Sequence, residues 1–360
     1  MKRFQLLLCG MLVMILIQGC APKRVSKPAS RQYSTEFIPQ TKYGNNNQRT
    51  KQLAKFVTTN LITSKGIYSQ NNGNRTLLSE TAGLWLIYLA QSGQKTKFRQ
   101  AYRQTVTTFE NDGLLMYRMR VSTGKRSKVN ATLDDLRVIR SLGLYAAKTH
   151  DEYYQTKAIQ RFAALKRKVS KNGQLRDFYD TEYQQISPLT SLAYYDLLTL
   201  REYEMKSTYA KQLRLVQRGY LGAQLPLYAV NYDWTKQRYS TSELNTSEAL
   251  LTLLHLAEVG HLKDASLRWL ANQVTNSTLY NRYKVTGEVS DWNESAANYS
   301  IAARIFAVAR HPRLYQLAMS QVWRFQIQDS HSNLQGGLGD SNQNVSYAFN
   351  DLQALVSAGY

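Results

Sequence analysis

The sequence predicts an all-α fold: an (α/α)6 barrel of six outer/inner helical hairpins, with long loops at one end forming a cleft. Three observations predict it. Half-exposed helical segments with one apolar stripe alternate with segments that are apolar nearly all round, and the latter must be buried on most sides. Connections from an apolar helix to the next striped one are tight, while the return connections run to roughly 16–23 residues, a length usually kept for functional loops. Each long connection carries a Gly near its start, and self-similarity at a period of roughly 50–60 residues marks a repeated supersecondary unit.

The elements follow in order. Lys2 and Arg3 precede an apolar run from Leu6 to Ile17, which reads as a signal peptide over 1–19. The run is short for a membrane span. It ends Ile17-Gln18-Gly19-Cys20, which resembles a bacterial lipobox, so Cys20 is expected to become the lipidated first residue. An ordinary signal peptide with an incidental Cys is the alternative. Cys9 leaves with the signal peptide, so the mature chain keeps a single thiol. Residues 20–47, rich in Pro, Lys, Ser, Gln and Asn, read as a lipidated flexible tether.

The barrel is expected over 48–360. Its outer helices fall near 48–62, 94–110, 150–169, 205–219, 261–274 and 313–326. In the second of these, Phe98, Ala101, Tyr102, Val106 and Phe109 share one face. Inner helices fall near 79–92, 131–148, 189–200, 243–259, 295–310 and 345–358. Ser92-Gly93, His150 and Gly260 mark tight turns, and Gly66, Gly113, Gly173, Gly287 and Gly337 open long loops. An open solenoid would leave six apolar inner helices with a wet face, so closure is favoured. Closure places all the long loops at one end.

Composition narrows the function. Lys and Arg total 46 against 25 Asp and Glu, a net charge of +21. Removal of Lys2 and Arg3 leaves +19 on the mature chain (21 − 2). In an exported protein this charge argues against nucleic acid and for an anionic surface or glycan; a generally basic solvated surface explains it equally well. No CxxC, HExxH, GxxxxGK[ST] or GxGxxG occurs, so neither a metal nor a nucleotide cofactor is expected.

Acidic residues gather at the predicted loop end: Glu80, Asp134 with Asp135, Asp233, and Asp291 with Glu294. Taken singly, each can be a helix cap or a turn residue. His255, in a leucine-rich helix, reads as a core residue. What suggests chemistry is convergence, with Tyr117, Phe178, Tyr179, Tyr232, Trp234 and Trp292 in the same loops. Flat rings stack on sugars, and paired carboxylates hydrolyse glycosidic bonds.

At these residues the chain resembles glycoside hydrolase family 8, an inverting (α/α)6 family. Ser79-Glu80-Thr81-Ala82-Gly83-Leu84-Trp85-Leu86 resembles its S-E-G-x-x-Y-G-L segment, which implies Glu80 as general acid. Tyr232-Asp233-Trp234 is similar to its Y-D-A, which implies Asp233 as general base. Ala131-Thr132-Leu133-Asp134-Asp135-Leu136 resembles A-[ST]-D-[AG]-D-L, but Leu133 stands where the family has its first Asp. One of Asp134 and Asp135 should face the cleft, since neighbours on a helix lie about 100° apart. Alignment favours Asp135. Trp85, Tyr117, Tyr179, Tyr232, Trp234 and Trp292 are the candidate sugar-binding rings.

The pattern is closer to the lipoprotein branch of that family, the PssZ-type exopolysaccharide hydrolases of Gram-positive bacteria. The resemblance implies a monomeric endo-glycosidase without a cofactor. It would be lipid-anchored on the extracellular face of the cytoplasmic membrane, hydrolysing a secreted bacterial polysaccharide by inversion. Leu133 keeps open a non-catalytic glycan-binding lipoprotein that assists export. A polysaccharide lyase fits the charge but not the Glu80/Asp233 pair.

Overall fold

A computed structural model describes residues 33–44, 47–73 and 75–360. The signal peptide and Cys20 lie outside the described residues. Among these are twelve α-helices: α1 Gln48–Phe56, α2 Ser79–Gln91, α3 Lys95–Phe109, α4 Thr132–Thr149, α5 Glu152–Val169, α6 Leu197–Tyr203, α7 Lys206–Arg218, α8 Thr246–Glu258, α9 Asp264–Thr275, α10 Ala296–Val308, α11 Pro312–Arg324 and α12 Ala348–Ser357. The even-numbered helices pack in sequence, α2 on α4, α4 on α6, and so on to α12, which returns to α2. Helices α3, α5, α7 and α11 pack outside α2, α4, α6 and α10. Burial follows the apolar patterning. Every residue from Ala296 to Ala307 of α10 is buried, whereas α3 buries Phe98, Ala101, Tyr102, Phe109 and two Thr and exposes its basic side.

The long connections are not bare loops. They form short antiparallel strands. Asp112-Gly113 and Asn172-Gly173 are hairpin turns with positive φ at both residues, the backbone for which Asn-Gly and Asp-Gly are suited. Strands also join successive connections. Thr76–Leu78 pairs with Arg118–Arg120, Leu189–Ser191 with Asn231–Asp233, and Leu244–Asn245 with Tyr280–Tyr283. A bridge between Gln70 and Tyr347 links the last connection to the first.

Two expectations need correction. The inner helix expected at 189–200 starts as strand Leu189–Ser191 and a 3-10 turn Leu192–Tyr194, and only Leu197–Tyr203 is α-helical. Asp196 starts that helix anew, its side chain accepting from the Thr199 amide at 3.1 Å. The tether expected over 20–47 is packed from residue 33. Phe37 is buried and stacks on Tyr203, Tyr33 donates to the His150 carbonyl at 3.0 Å, and Gln316 donates to the Tyr43 carbonyl at 2.7 Å. Four apolar or aromatic residues, Tyr33, Phe37, Ile38 and Tyr43, provide surface to bury against the tight-turn end, within a stretch whose average composition is polar. No helix among the described residues is long and apolar enough to cross a membrane.

Candidate active site

The N-terminal ends of α2, α4, α8 and α10 open into one cleft of about 390 Å3. Its walls carry four carboxylates, Glu80, Asp134, Glu248 and Asp291, and two guanidiniums, Arg137 and Arg282. Tyr194 and Phe349 supply its rings.

The first wall belongs to α2 and α4. Gly83 lets the two helices approach closely, since a Cβ there would lie 2.9 Å from the Arg137 Cβ. This brings Arg137 under Glu80. Its Nη1 donates to Glu80 Oε1 at 3.0 Å and to Asp134 Oδ1 at 2.9 Å. Ser79 Oγ donates to Asp134 Oδ2 at 2.7 Å. Glu80 keeps 31% of its side chain exposed and reaches the cleft; Asp134 is buried at its floor. Burial pushes the Asp134 carboxyl up to about 7, and the Glu80 charge adds to this, although Arg137 pulls the other way. Burial works against the Arg137 charge, but Glu80 and Asp134 outweigh it and hold the guanidinium above its ordinary pKa.

Asp135 faces away. Its Oδ1 accepts from the Leu115 amide at 3.0 Å and its Oδ2 from Asn130 Nδ2 at 2.8 Å, so it braces the loop before α4. Burial raises it too, to about 7. The preference that alignment gives to Asp135 is thus reversed: the cleft takes Asp134, which stands one helical turn before Arg137.

The opposite wall belongs to α8, the fourth of six helices in the ring where α2 is the first. Asn245 caps α8 by accepting from the Glu248 amide at 3.2 Å. The Glu248 carboxylate forms no ion pair among the described residues. Burial raises its pKa, and the charges of Glu80 and Asp177 add to the rise; Arg282 and Arg137 oppose it.

Asp233 does not line this cleft. It sits where Asn231–Asp233 turns back toward Arg238–Tyr239. Its Oδ1 accepts from the Thr235 and Lys236 amides at 2.9 and 3.1 Å, and its Oδ2 meets Lys236 Nζ at 3.3 Å. The bond from the Lys236 amide leads the causes that hold its pKa below the usual carboxylate range.

None of the six candidate rings lines the cleft. Trp85 turns outward, stacks on Tyr88 and borders a groove beside α3. Arg118 lies over Tyr117 and Lys168 over Tyr179. Tyr232 packs edge-on against Trp234, whose indole donates to Thr190 Oγ1 at 2.8 Å under the Arg176 guanidinium. Trp292 alone is open, 68% exposed beside the cleft residue Asp291. Glu294 bonds Tyr299 and pairs with Arg324 at 3.0 Å.

Sequence reasoning missed Glu248, Arg137, Tyr194 and Arg282. A signal for Glu248 exists. The dipeptide Ser79-Glu80 recurs as Ser247-Glu248, each in the first turn of an inner helix.

No family model matches the chain. The Bacillus subtilis (strain 168) protein named "Putative lipoprotein YdaJ" is 25% identical over 315 residues, covering 84% of each chain. Solved structures superpose on most of the chain. A protein described as a novel alpha-amylase from Clostridium perfringens superposes with a TM-score of 0.80 at 24% identity, over 86% of this chain and 96% of its own. PssZ from Listeria monocytogenes gives 0.68 at 18%, over 88% and 97%. Endoglucanase Cel10 from Klebsiella pneumoniae, a family 8 glycosyl hydrolase, gives 0.62 at 12%, over 85% and 97%. The chain has the fold of the family 8 glycoside hydrolases. Leu133 is buried in the hydrophobic core and also borders the cleft.

Proposed function

We propose that this chain is an (α/α)6 glycoside hydrolase that cuts a bacterial exopolysaccharide with inversion. It would be held by a lipid on Cys20 at the extracellular face of the cytoplasmic membrane. One observation carries the reading: Glu80 and Glu248 enter one cleft from opposite helices of the inner ring. Opposite placement suits carboxyls about 6.5–9.5 Å apart with a water between them, the arrangement of inverting enzymes.

Glu80 is the acid, in keeping with the Ser79-Glu80 match, and delivers its proton to the glycosidic oxygen. Glu248 is the base in preference to Asp233. Its carboxylate is free of a direct cation, and its raised pKa makes it the stronger proton acceptor. The Asp233 carboxylate is already held by two amides and Lys236. The name of YdaJ supports the anchor, and the sequence resemblance to PssZ-type exopolysaccharide hydrolases suggests the polysaccharide. A second reading, glycan binding without turnover, rests on the apolar Leu133 in the cleft. A reducing-end assay on the source organism's own exopolysaccharide separates them. New reducing ends are expected; binding without them favours the second reading.

A further inference from the structure

We propose that the closed axis of the barrel, beneath the cleft, binds a small monovalent anion of chloride size between Arg304, Gln353, His255 and Arg137.

A cavity of about 30 Å3 lies there, walled almost wholly by buried side chains of the inner helices. It has room for one small ion or a water or two, and not for a bulky oxyanion. Five buried atoms on its lining residues have no hydrogen-bond partner, four of them being Arg137 Nη2, Arg304 Nε, Gln353 Nε2 and His255 Nδ1. Orphaned buried polar atoms are uncommon, and five around one cavity call for an occupant. The first three can only donate. Gln91 Oε1 is unpartnered on the same wall, and rotating its amide by half a turn would add a fourth donor. A water meeting these groups must turn its own hydrogens elsewhere, whereas an anion accepts from all of them.

The three guanidiniums are unequally paired. Arg140 is matched by Asp196 at 3.1 Å and by Glu258, and Arg137 by Glu80 and Asp134. Arg304 has no carboxylate; its Nη2 donates to the Gln353 side-chain oxygen. Burial lowers its pKa to about 10, which still leaves it cationic at neutral pH. The second carboxylate on Arg140 balances the summed charge, so the case for an anion is local: a cluster of donors around a guanidinium that has no bonded carboxylate of its own. The nearest opening is at the tight-turn end. Phe37, Arg140 and Tyr360 line both this cavity and an opening of about 440 Å3 at the tight-turn end. Arg137 lines both the cavity and the cleft, so the anion would sit beneath the guanidinium that holds Glu80.

The test compares chloride with gluconate at equal ionic strength, using the intact protein. Chloride should raise Tm saturably, by on the order of 3–5 °C at a hundredfold excess over its Kd. In Arg304→Gln the difference between the two salts should vanish. Crystals of the unmodified protein soaked in bromide should show an anomalous peak between Arg304 and Gln353, a readout that stands even if the variant does not fold. Equal Tm in the two salts, or a cavity that holds only water in the bromide crystal, overturns the proposal.

Discussion

The two walls of the cleft begin alike and end differently. Both inner helices carry Ser-Glu in their first turn, at Ser79-Glu80 and Ser247-Glu248. On the α2 side the packing of α4 slides Arg137 beneath the carboxylate and adds the buried Asp134 behind it. On the α8 side Asn245 caps the helix, and Glu248 faces the cleft without an ion pair among the described residues. The same dipeptide, set one residue further into α8 than into α2, therefore meets two electrostatic environments. The surroundings separate the two carboxyls, but the raised pKa of Glu248 favours its protonated form, so the acid role of Glu80 rests on the Ser79-Glu80 match rather than on these environments.

The sharpest way to break this comparison is to neutralise each wall in turn. Glu80→Gln and Glu248→Gln should each lower turnover by about 10²–10⁴, with glycan binding retained. A glycoside whose leaving group needs no proton separates them. With it, Glu80→Gln should recover most of its rate and Glu248→Gln should stay inactive. Recovery by Glu248→Gln instead would exchange the two roles. Two variants that both stay within a few-fold of wild type on the polysaccharide would remove the pair from the chemistry.

The next contrast lies within the first wall, between Asp134 and Asp135. Asp134→Asn breaks the link from Ser79 to Arg137 and should reduce turnover more than stability. Asp135→Asn sets an amide against donors from Leu115 and Asn130, and should cost about 1–3 kcal/mol of stability with little change in turnover per folded molecule. Here pH is a second readout. Asp135 titrates near 7 when folded and near 3.9 when unfolded, so the folded chain holds the extra proton between those values. Its contribution is complete below about pH 4 and is lost as pH rises through about 7. Asp351, which accepts from the Leu338 amide and Ser346 Oγ at 2.8 Å, behaves in the same way. Urea unfolding should show stability falling from pH 5 to pH 8 by less in Asp135→Asn than in wild type. Equal falls would show that Asp135 is not the buried acid described.

These contrasts mark what the sequence could carry. Helical periodicity located the hairpins because each stripe repeats over several turns, and Glu80 was legible because Ser-Glu falls where an apolar helix begins. The 189–200 helix was misread because a buried strand and a buried helix both present unbroken apolar residues. Trp85 was misplaced for a related reason: a helix apolar on every side does not say which residues look inward. Glu248 was passed over because the expected helix started at 243, which put it a turn inside a leucine-rich segment. Arg137 acquires its meaning only from a residue 57 positions away, through a contact no local pattern encodes.

The smallest expected effect belongs to Asp233. Its carboxylate closes a hairpin turn, accepting from two amides and meeting Lys236, on a strand that pairs with Leu189–Ser191. An amide in its place can still accept with its remaining oxygen but loses the charge. Asp233→Asn should therefore change stability little and leave turnover within a few-fold of wild type. Its pH–rate profile should also match wild type, since the group titrating on the α8 side would be Glu248. The outcome that restores Asp233 is specific: a folded Asp233→Asn protein without activity, beside a Glu248→Gln protein that still turns over. That pair of results would mean the hairpin swings its carboxylate into the cleft when glycan binds, giving up Lys236 and the turn amides for a water. The opposite wall would then be built from a loop rather than from the first turn of α8.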